Sequence, residues 1–249
     1  MPSPLAALFG LVSHLLDRSR DHFRDVRPGS GAVAFGLVVL VTAATTLGIV
    51  GLGVAFDATI DTEITVDNPD RPSESTCERF GDDDDSVFAE QCDQPERIEA
   101  NVGEELRSAT GGYLGYGLIG VPIWWVVFSV VLHAGARLAG GTGSVGDSFV
   151  IAGWAIAAEL LRLVAGVAAI WYALATTTVE GTTIEAIANE VVAAISTMQG
   201  PLLAVSAVVL AIQWVLVVGG LESAHDLERD TAGAVAGLFA VLGFLMAAI

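Results

Sequence analysis

Residues 32–56 read AVAFGLVVLVTAATTLGIVGLGVAF and contain no Asp, Glu, Lys or Arg. The hydrocarbon core of a bilayer is about 30 Å thick, and a helix rises about 1.5 Å per residue, so about 20 apolar residues cross it. The run is about twice the length of a signal-peptide core, and about 30 residues precede it. We therefore predict a transmembrane helix that is retained as an anchor.

Three further runs are free of charged residues and long enough, or nearly long enough, to cross: residues 112–136, 201–221 and 232–249. A fifth run, residues 149–174, is apolar apart from Glu159 and Arg162. Those two side chains lie three positions apart and can pair on one helix. We therefore expect an all-α polytopic bundle with five transmembrane helices in residues 31–249.

The composition agrees with a membrane protein. Hydrophobic residues make up 53% of the 249 positions and charged residues only 16%, and the mean hydropathy is +0.63. The 29 acidic residues outnumber the 11 basic ones, all of which are arginines, and the net charge is -18. A nucleic-acid-binding protein needs a basic face that displaces phosphate counterions. The sequence excludes that class.

Arginines mark the side of the membrane on which each connecting segment lies. Four precede the first span, one follows the second, and one lies between the fourth and fifth, namely Arg18, Arg20, Arg24, Arg27, Arg137 and Arg229. Of the alternate segments, residues 57–111 hold four arginines spread over a long acidic stretch, and residues 175–200 hold none. By the positive-inside rule, we expect a multi-pass protein of the cell membrane with a cytoplasmic amino terminus and an extracellular carboxyl terminus.

Residues 1–30 form a separate cytoplasmic segment in this interpretation. Its apolar residues recur at helical spacing, at Leu5, Leu8, Phe9, Val12, Leu15 and Leu16. Such a pattern is typical of an amphipathic helix in the inner membrane interface, and a frayed tail is the alternative. Across the membrane, Ile184, Ile187, Val191 and Ile195 repeat in the same way and predict an outer interfacial helix.

The acidic extracellular loop, residues 57–111, carries most of the negative charge. It holds 9 Asp and 8 Glu against 4 Arg, so it contributes -13. A lysine-free acidic surface stays hydrated in high salt, which indicates a halophilic protein, and we expect much of this loop to be weakly ordered. The run at residues 82–85 lacks the spacing of a known calcium loop, so specific calcium binding is the lesser alternative.

Cys77 and Cys92 are the only cysteines and lie 15 positions apart in the acidic loop. An oxidising exterior favours a disulfide between them, whose loop-closure entropy is worth about 3 kcal/mol in the chain-constraint description. Free thiols or a metal-binding pair are the alternatives, although the sequence offers no further metal ligands nearby.

Polar residues fall near the middle of several spans. Glu159 lies ten residues into its span, close to the bilayer midplane, and Gln213 is twelve residues into the fourth. Charge at that depth costs at least about 2.5 kcal/mol when unpaired. Two interpretations are open: an ion or proton site in which Glu159 titrates against Arg162, or a salt bridge that also binds Gln213 and fixes helix packing. We favour packing, because a single carboxylate makes a poor ion pathway.

Residues 141–146, GTGSVG, match the dinucleotide-binding glycine pattern. That pattern requires a preceding strand and a ribose-binding acid, whereas a membrane helix precedes it here. We therefore expect no nucleotide, but a tight turn with Asp147 or Ser148 capping the third span. The four histidines, His14, His22, His133 and His225, form no metal or hydrolase pattern, so we expect no metal, no cofactor and no enzyme.

One joint between spans carries a family resemblance. Residues 132–143, LHAGARLAGGTG, combine hydrophobic residues with a base and a Gly-Gly pair, and residues 214–220 and 224–227, WVLVVGG and AHDL, form a second patch. Together with the segment DHFRDVRP at residues 21–28, this layout resembles the Yip domain family, in a prokaryotic, halophile-type form. The resemblance covers nearly all of the chain outside the acidic loop.

The resemblance implies a membrane scaffold or membrane-organising protein rather than an enzyme. It places a cytoplasmic joint at His133, Arg137, Gly140, Gly141 and Gly143. Two interpretations are open for His133 and Arg137: they bind lipid phosphates, or they only extend their polar ends to the membrane interface. The Asp-Leu-Tyr-Gly-Pro motif of GTPase-recruiting members is absent. We expect the bilayer, other membrane proteins or further copies of the chain as partners. The alternative is a small ion- or solute-transport component using Glu159, Arg162 and Gln213.

Overall fold

The computed structural model describes residues 4–25, 30–80, 88–176 and 184–248. In chain order the elements are α1 (Pro4–Arg24), α2 (Ser30–Thr59), β1 (Glu63–Asp67), α3 (Glu74–Phe80), α4 (Ala89–Cys92), β2 (Arg97–Asn101), α5 (Val102–Gly111), a π-helical turn (Tyr116–Gly120), α6 (Val121–Leu138), α7 (Val145–Ala157), α8 (Glu159–Thr176), α9 (Ile184–Ser196), α10 (Gln199–Ala224) and α11 (Arg229–Ala248).

Four stretches of helix in the described part of the chain are long and apolar enough to cross a membrane. They are Gly31–Thr59, Val102–Leu138, Val145–Thr176 and Gln199–Ala224. The second begins ten residues before the apolar run starts, because α5 continues through the π-helical turn into α6. The chain is therefore a multi-pass membrane protein. The 20-residue helix α11 follows at the carboxyl end.

The acidic loop departs from an all-α fold. β1 and β2 pair antiparallel, with Glu63 opposite Asn101 and Asp67 opposite Arg97. Ile64 of β1 is buried together with Ile60 and Val102 in a small apolar cluster, against which the apolar residues Phe56, Val66, Leu106 and Leu174 pack. The expectation of a weakly ordered loop is wrong for its described residues, because alternating apolar side chains give the sheet a core on the end of α2. Residues 82–85 lie outside the described residues.

The predicted disulfide between Cys77 and Cys92 is confirmed and joins α3 to α4. Next to it, the buried side chain of Asn68 donates to Gln94 Oε1 at 3.2 Å and to the Pro95 carbonyl at 3.1 Å. The guanidinium of Arg71 donates to the Gln94 carbonyl at 2.6 Å. A covalent link and a polar network therefore hold together a segment too small for an extensive apolar core.

Helix α1 packs against the bundle. Its residues Leu16 and Phe23 are buried in the main apolar cluster with Val218 and Leu221 of α10, whereas Leu15 is exposed. The helical spacing of the apolar residues predicted this helix. Its buried face, however, packs against the rest of the protein and not against the membrane interface. The side chains of Leu5, Leu8 and Phe9, and those of Ile184, Ile187, Val191 and Ile195 in α9, lie outside the described residues.

The two ends of the bundle differ in character. At one end, α1 contacts α10 and α11, and the α6–α7 connection contacts the turn between α10 and α11 through the hydrogen bond from Thr142 N–H to the His225 carbonyl at 2.9 Å. At the other end, Leu174 of α8 packs beside Ile60 under the β1–β2 sheet. The segments with Arg18, Arg20, Arg24, Arg137 and Arg229 therefore gather at one end, and the described part of the acidic loop lies at the opposite one.

Candidate functional site

Three polar side chains that the sequence placed at mid-span come into contact. Glu159 Oε1 accepts a hydrogen bond from Gln213 Nε2 at 2.8 Å. Its other oxygen, Oε2, lies 3.1 Å from Arg162 Nη1. Both carboxylate oxygens are thus bound, one within α8 and one from α10. This arrangement compensates much of the cost of placing a carboxylate within apolar helices.

The third span is interrupted where these side chains meet. α7 ends at Ala157 and α8 begins at Glu159, with a tighter turn in which Ala158 N–H donates to the Ala155 carbonyl at 3.2 Å. Gln213 Nε2 also donates to that carbonyl, at 3.2 Å. One amide of α10 therefore holds both halves of the broken helix. No proline or glycine at residues 157–159 signals this interruption in the sequence.

Thr42 and Thr46, near the middle of α2, do not join this cluster through their hydroxyl hydrogen bonds. Thr42 donates to the Val38 carbonyl at 2.8 Å and Thr46 donates to the Thr42 carbonyl at 2.9 Å, both within α2. A hydroxyl bonded one turn back along its own helix is already satisfied. The mid-span cluster consists of Glu159, Arg162 and Gln213.

A second site is the joint between α6 and α7, residues 139–144. Gly140 has a φ of +90°, in the left-handed region that favours glycine. The N–H of Gly141 donates to the Ala136 carbonyl at 2.8 Å and that of Gly140 to the Arg137 carbonyl at 3.1 Å, which is the Schellman pattern at a helix end. The guanidinium of Arg137 donates back to the Gly141 carbonyl at 3.0 Å. The Gly-Gly pair thus ends α6.

The cap of α7 differs from the predicted one. Ser144 occupies the cap position, its hydroxyl accepts a hydrogen bond from Asp147 N–H at 3.3 Å, and Asp147 Oδ2 accepts from Ser144 N–H at 2.8 Å. This is a reciprocal capping box. Asp147 acts as predicted at the start of the helix, but it does so from the third helical position, while Ser148 is buried one residue further on.

The joint is seated on the end of α10. A Cβ atom at Gly143 would collide with the Ala224 carbonyl oxygen and would lie 2.6 Å from His225 Nδ1. A Cβ at Gly141 would lie 3.2 Å from the Cβ of His225. The two sequence patches around residues 132–143 and 224–227 are therefore in direct contact. Gly141 and Gly143 are needed because the backbones of the two patches approach closely.

A buried imidazole lies at the centre of this contact. His225 is fully buried, and its Nε2 lies 2.9 Å from the hydroxyl of Ser148. The same hydroxyl is 3.5 Å from Nδ1 of His133, and the two imidazole rings are 5.7 Å apart. Burial lowers the pKa of His225 and the nearby His133 lowers it further, while Asp147 raises it and Arg137 has the smallest, lowering effect. At neutral pH this ring is uncharged.

Sequence patterns did not identify the roles of Ser148 and His225. The two residues are 77 positions apart, and neither belongs to a recognisable spacing motif. The same is true of Glu222, whose side chain is only 2% exposed and is bound by Arg229 Nε at 2.6 Å. Arg229 also reaches Asp17 of α1 at 2.7 Å, and Arg20 lies 3.8 Å from Glu222. The only sequence signal for Glu222 is that an acidic residue lies close to the end of the fourth apolar run.

Membrane-length helices tied together by buried polar contacts define this molecule as a polytopic α-helical membrane protein. The chain belongs to the Yip1 domain family, since the family's model matches residues 13–249. The match includes α6–α7, α10–α11 and the part of α1 that packs on α10. No curated protein and no solved structure matches the chain.

Proposed function

We propose that this chain is a non-enzymatic, five-span scaffold of the cell membrane, which organises the bilayer or holds other membrane proteins. The observation that carries the proposal is the mid-span cluster, in which both oxygens of Glu159 are bound, one by Arg162 and one by Gln213. A carboxylate engaged in this way joins α8 to α10. This favours a role in helix packing over one in transport.

The fifth span in this proposal is α11. Its 20 residues correspond to about 30 Å of helix, enough to cross the hydrocarbon core. It leaves the end of the bundle that carries α1 and the α6–α7 joint, so it would finish at the opposite end. With the arginine-rich end in the cytoplasm, the amino terminus is inside and the carboxyl terminus is outside.

The surface available to partners is the apolar exterior of the spans. On α6, Trp124, Val127, Val131 and Leu138 are exposed, and on α2 a similar exposed set includes Phe35 and Leu47. In a bilayer such faces contact lipid tails or the helices of other proteins. The acidic loop adds a hydrated surface outside, in keeping with a protein adapted to high salt.

Flux measurements distinguish this proposal from transport. The protein and its Glu159→Gln variant are reconstituted in proteoliposomes, and proton and cation movements are followed under pH and salt gradients. We expect no flux above empty vesicles for either protein. A flux that is present in the wild type and lost in Glu159→Gln would overturn the proposal and assign the cluster to transport.

A further inference from the structure

The buried histidine at the joint has a constrained hydrogen-bonding pattern. His225 Nε2 meets Ser148, whereas Nδ1 lies against Gly143 and has no hydrogen-bond partner among the described residues. A buried N–H without an acceptor is costly, whereas an unbound ring lone pair costs less. The neutral ring therefore carries its proton on Nε2 and donates it to the Ser148 hydroxyl. That hydroxyl is then oriented to donate over the long contact to Nδ1 of His133.

A second proton on the His225 ring would have no hydrogen-bond acceptor among the described residues. The new N–H at Nδ1 would lie beside Gly143, and the positive charge would face His133 and Arg137 of α6. Asp147 of α7 is the anionic group that opposes them, but it is engaged in the capping box of Ser144. On the α10 side, the carboxylate of Glu222 is bound by Arg229 and approached by Arg20 of α1.

We propose that the joint is a pH-sensitive latch: protonation of His225 loosens the contact between the α6–α7 joint and the end of α10. The contact to be released is the hydrogen bond from Thr142 N–H to the His225 carbonyl, together with the close seating of Gly141 and Gly143. It couples the α6–α7 pair to the α10–α11 pair. The latch goes beyond the proposed scaffold role and does not depend on it.

The direction of the effect follows from linkage. In the open joint, His225 would titrate near the ordinary histidine pKa of about 6.5, whereas in the closed joint its pKa is lower. The open state therefore binds more protons as the pH falls below about 6.5, so the closed state is fully stable above that value and loses stability below it. At pH 5.5 the opening equilibrium increases by up to about tenfold relative to pH 7.5.

Hydrogen exchange of the full chain in lipid nanodiscs tests the latch. The protection factor of the Thr142 amide, corrected for intrinsic exchange at each pH, is compared at pH 7.5 and 5.5 for wild type, His225→Gln and the control His22→Gln. We expect protection to fall by up to about tenfold in wild type and in His22→Gln, and to stay constant in His225→Gln. Constant protection in wild type, or an equal fall in all three proteins, would overturn the proposal.

A second measurement keeps the test decisive if His225→Gln does not fold. Ring-labelled histidine in the wild-type protein is titrated by NMR, and the signals of His14, His22 and His133 are assigned from their own Gln variants. We expect the remaining ring to titrate below the ordinary histidine pKa of about 6.5. Titration of all four rings at or above about pH 6.5 would overturn the proposal.

Discussion

At the scale of single residues, the end of the bundle that carries α1 and the α6–α7 joint depends on side chains with few possible partners. Glu222 is almost fully buried and needs Arg229, and Gly143 has no space for a Cβ. Glycine at 143 could be read from the sequence as a turn residue. Its contact with Ala224 could not, because that contact depends on how two distant helix pairs are seated together.

Removal of the buried carboxylate should destabilise the protein strongly. Glu222→Ala removes the buried partner of Arg229, but the Arg229 side chain is 39% exposed and keeps Asp17, so we expect a cost of about 2 kcal/mol, below that of breaking a fully buried ion pair. The matched control is Asp17→Asn, which removes the other, exposed partner of Arg229 and should cost about 1 kcal/mol or less. Unfolding in detergent measures both variants. Equal losses would contradict a structural role for Glu222.

A methyl group at the joint should also destabilise the protein. Gly143→Ala forces the joint away from Ala224 and His225, at a cost of about 1–3 kcal/mol by comparison with other overpacked sites. At Gly146 a Cβ would have Ser144 Oγ at 3.5 Å as its nearest neighbour, so Gly146→Ala serves as the control and should be neutral. Thermal unfolding distinguishes the two variants, and an unaffected Gly143→Ala would refute the described seating.

At the scale of elements, the helices were largely predictable, and the links between them were not. Charge-free runs identify spans because lipid imposes a length and an apolar composition. Ala158 gives no sign of the break between α7 and α8, since the tertiary contact with Gln213 stabilises it. The β1–β2 sheet was hidden because charge dominates the loop's composition, although Ile64 and Val66 alternate with polar neighbours.

Reduction of the disulfide should loosen the segment between α2 and α5 and leave the spans unchanged. The amide of Asn68, which donates to the Glu96 carbonyl at 2.9 Å, reports on the sheet end nearest the link. Loss of about 3 kcal/mol corresponds to about a hundredfold fall in its exchange protection. Amides of α10 serve as the internal control. Unchanged protection of Asn68 after complete reduction would show that the polar network suffices.

At the scale of the whole molecule, charge is divided between the two ends. The negative charges of the acidic end need screening by salt, whereas the opposite end is held by ion pairs between α1, α10 and α11. Net charge and its separation along the chain were readable from the sequence. The packing of α1 onto α10 was not, because an amphipathic helix presents the same pattern to a membrane surface and to a protein groove.

Lowering the salt concentration should destabilise the purified protein. With 29 acidic against 11 basic residues, repulsion grows as the Debye length increases from about 3 Å at 1 M to about 10 Å at 0.1 M. We expect loss of helical circular dichroism, or aggregation, as salt is withdrawn. Sucrose at matched osmolality controls for solvent effects. A spectrum that is constant across the titration would count against adaptation to high salt.

The scaffold role is tested most directly by crosslinking in native membranes at high salt. Wild type and Glu159→Gln are crosslinked, purified by affinity and analysed by mass spectrometry. The proposed function predicts a stoichiometric membrane-protein partner for the wild type, retained in Glu159→Gln if the bundle stays folded. Recovery of the chain with no crosslink to another membrane protein or to a further copy of itself would contradict the scaffold role.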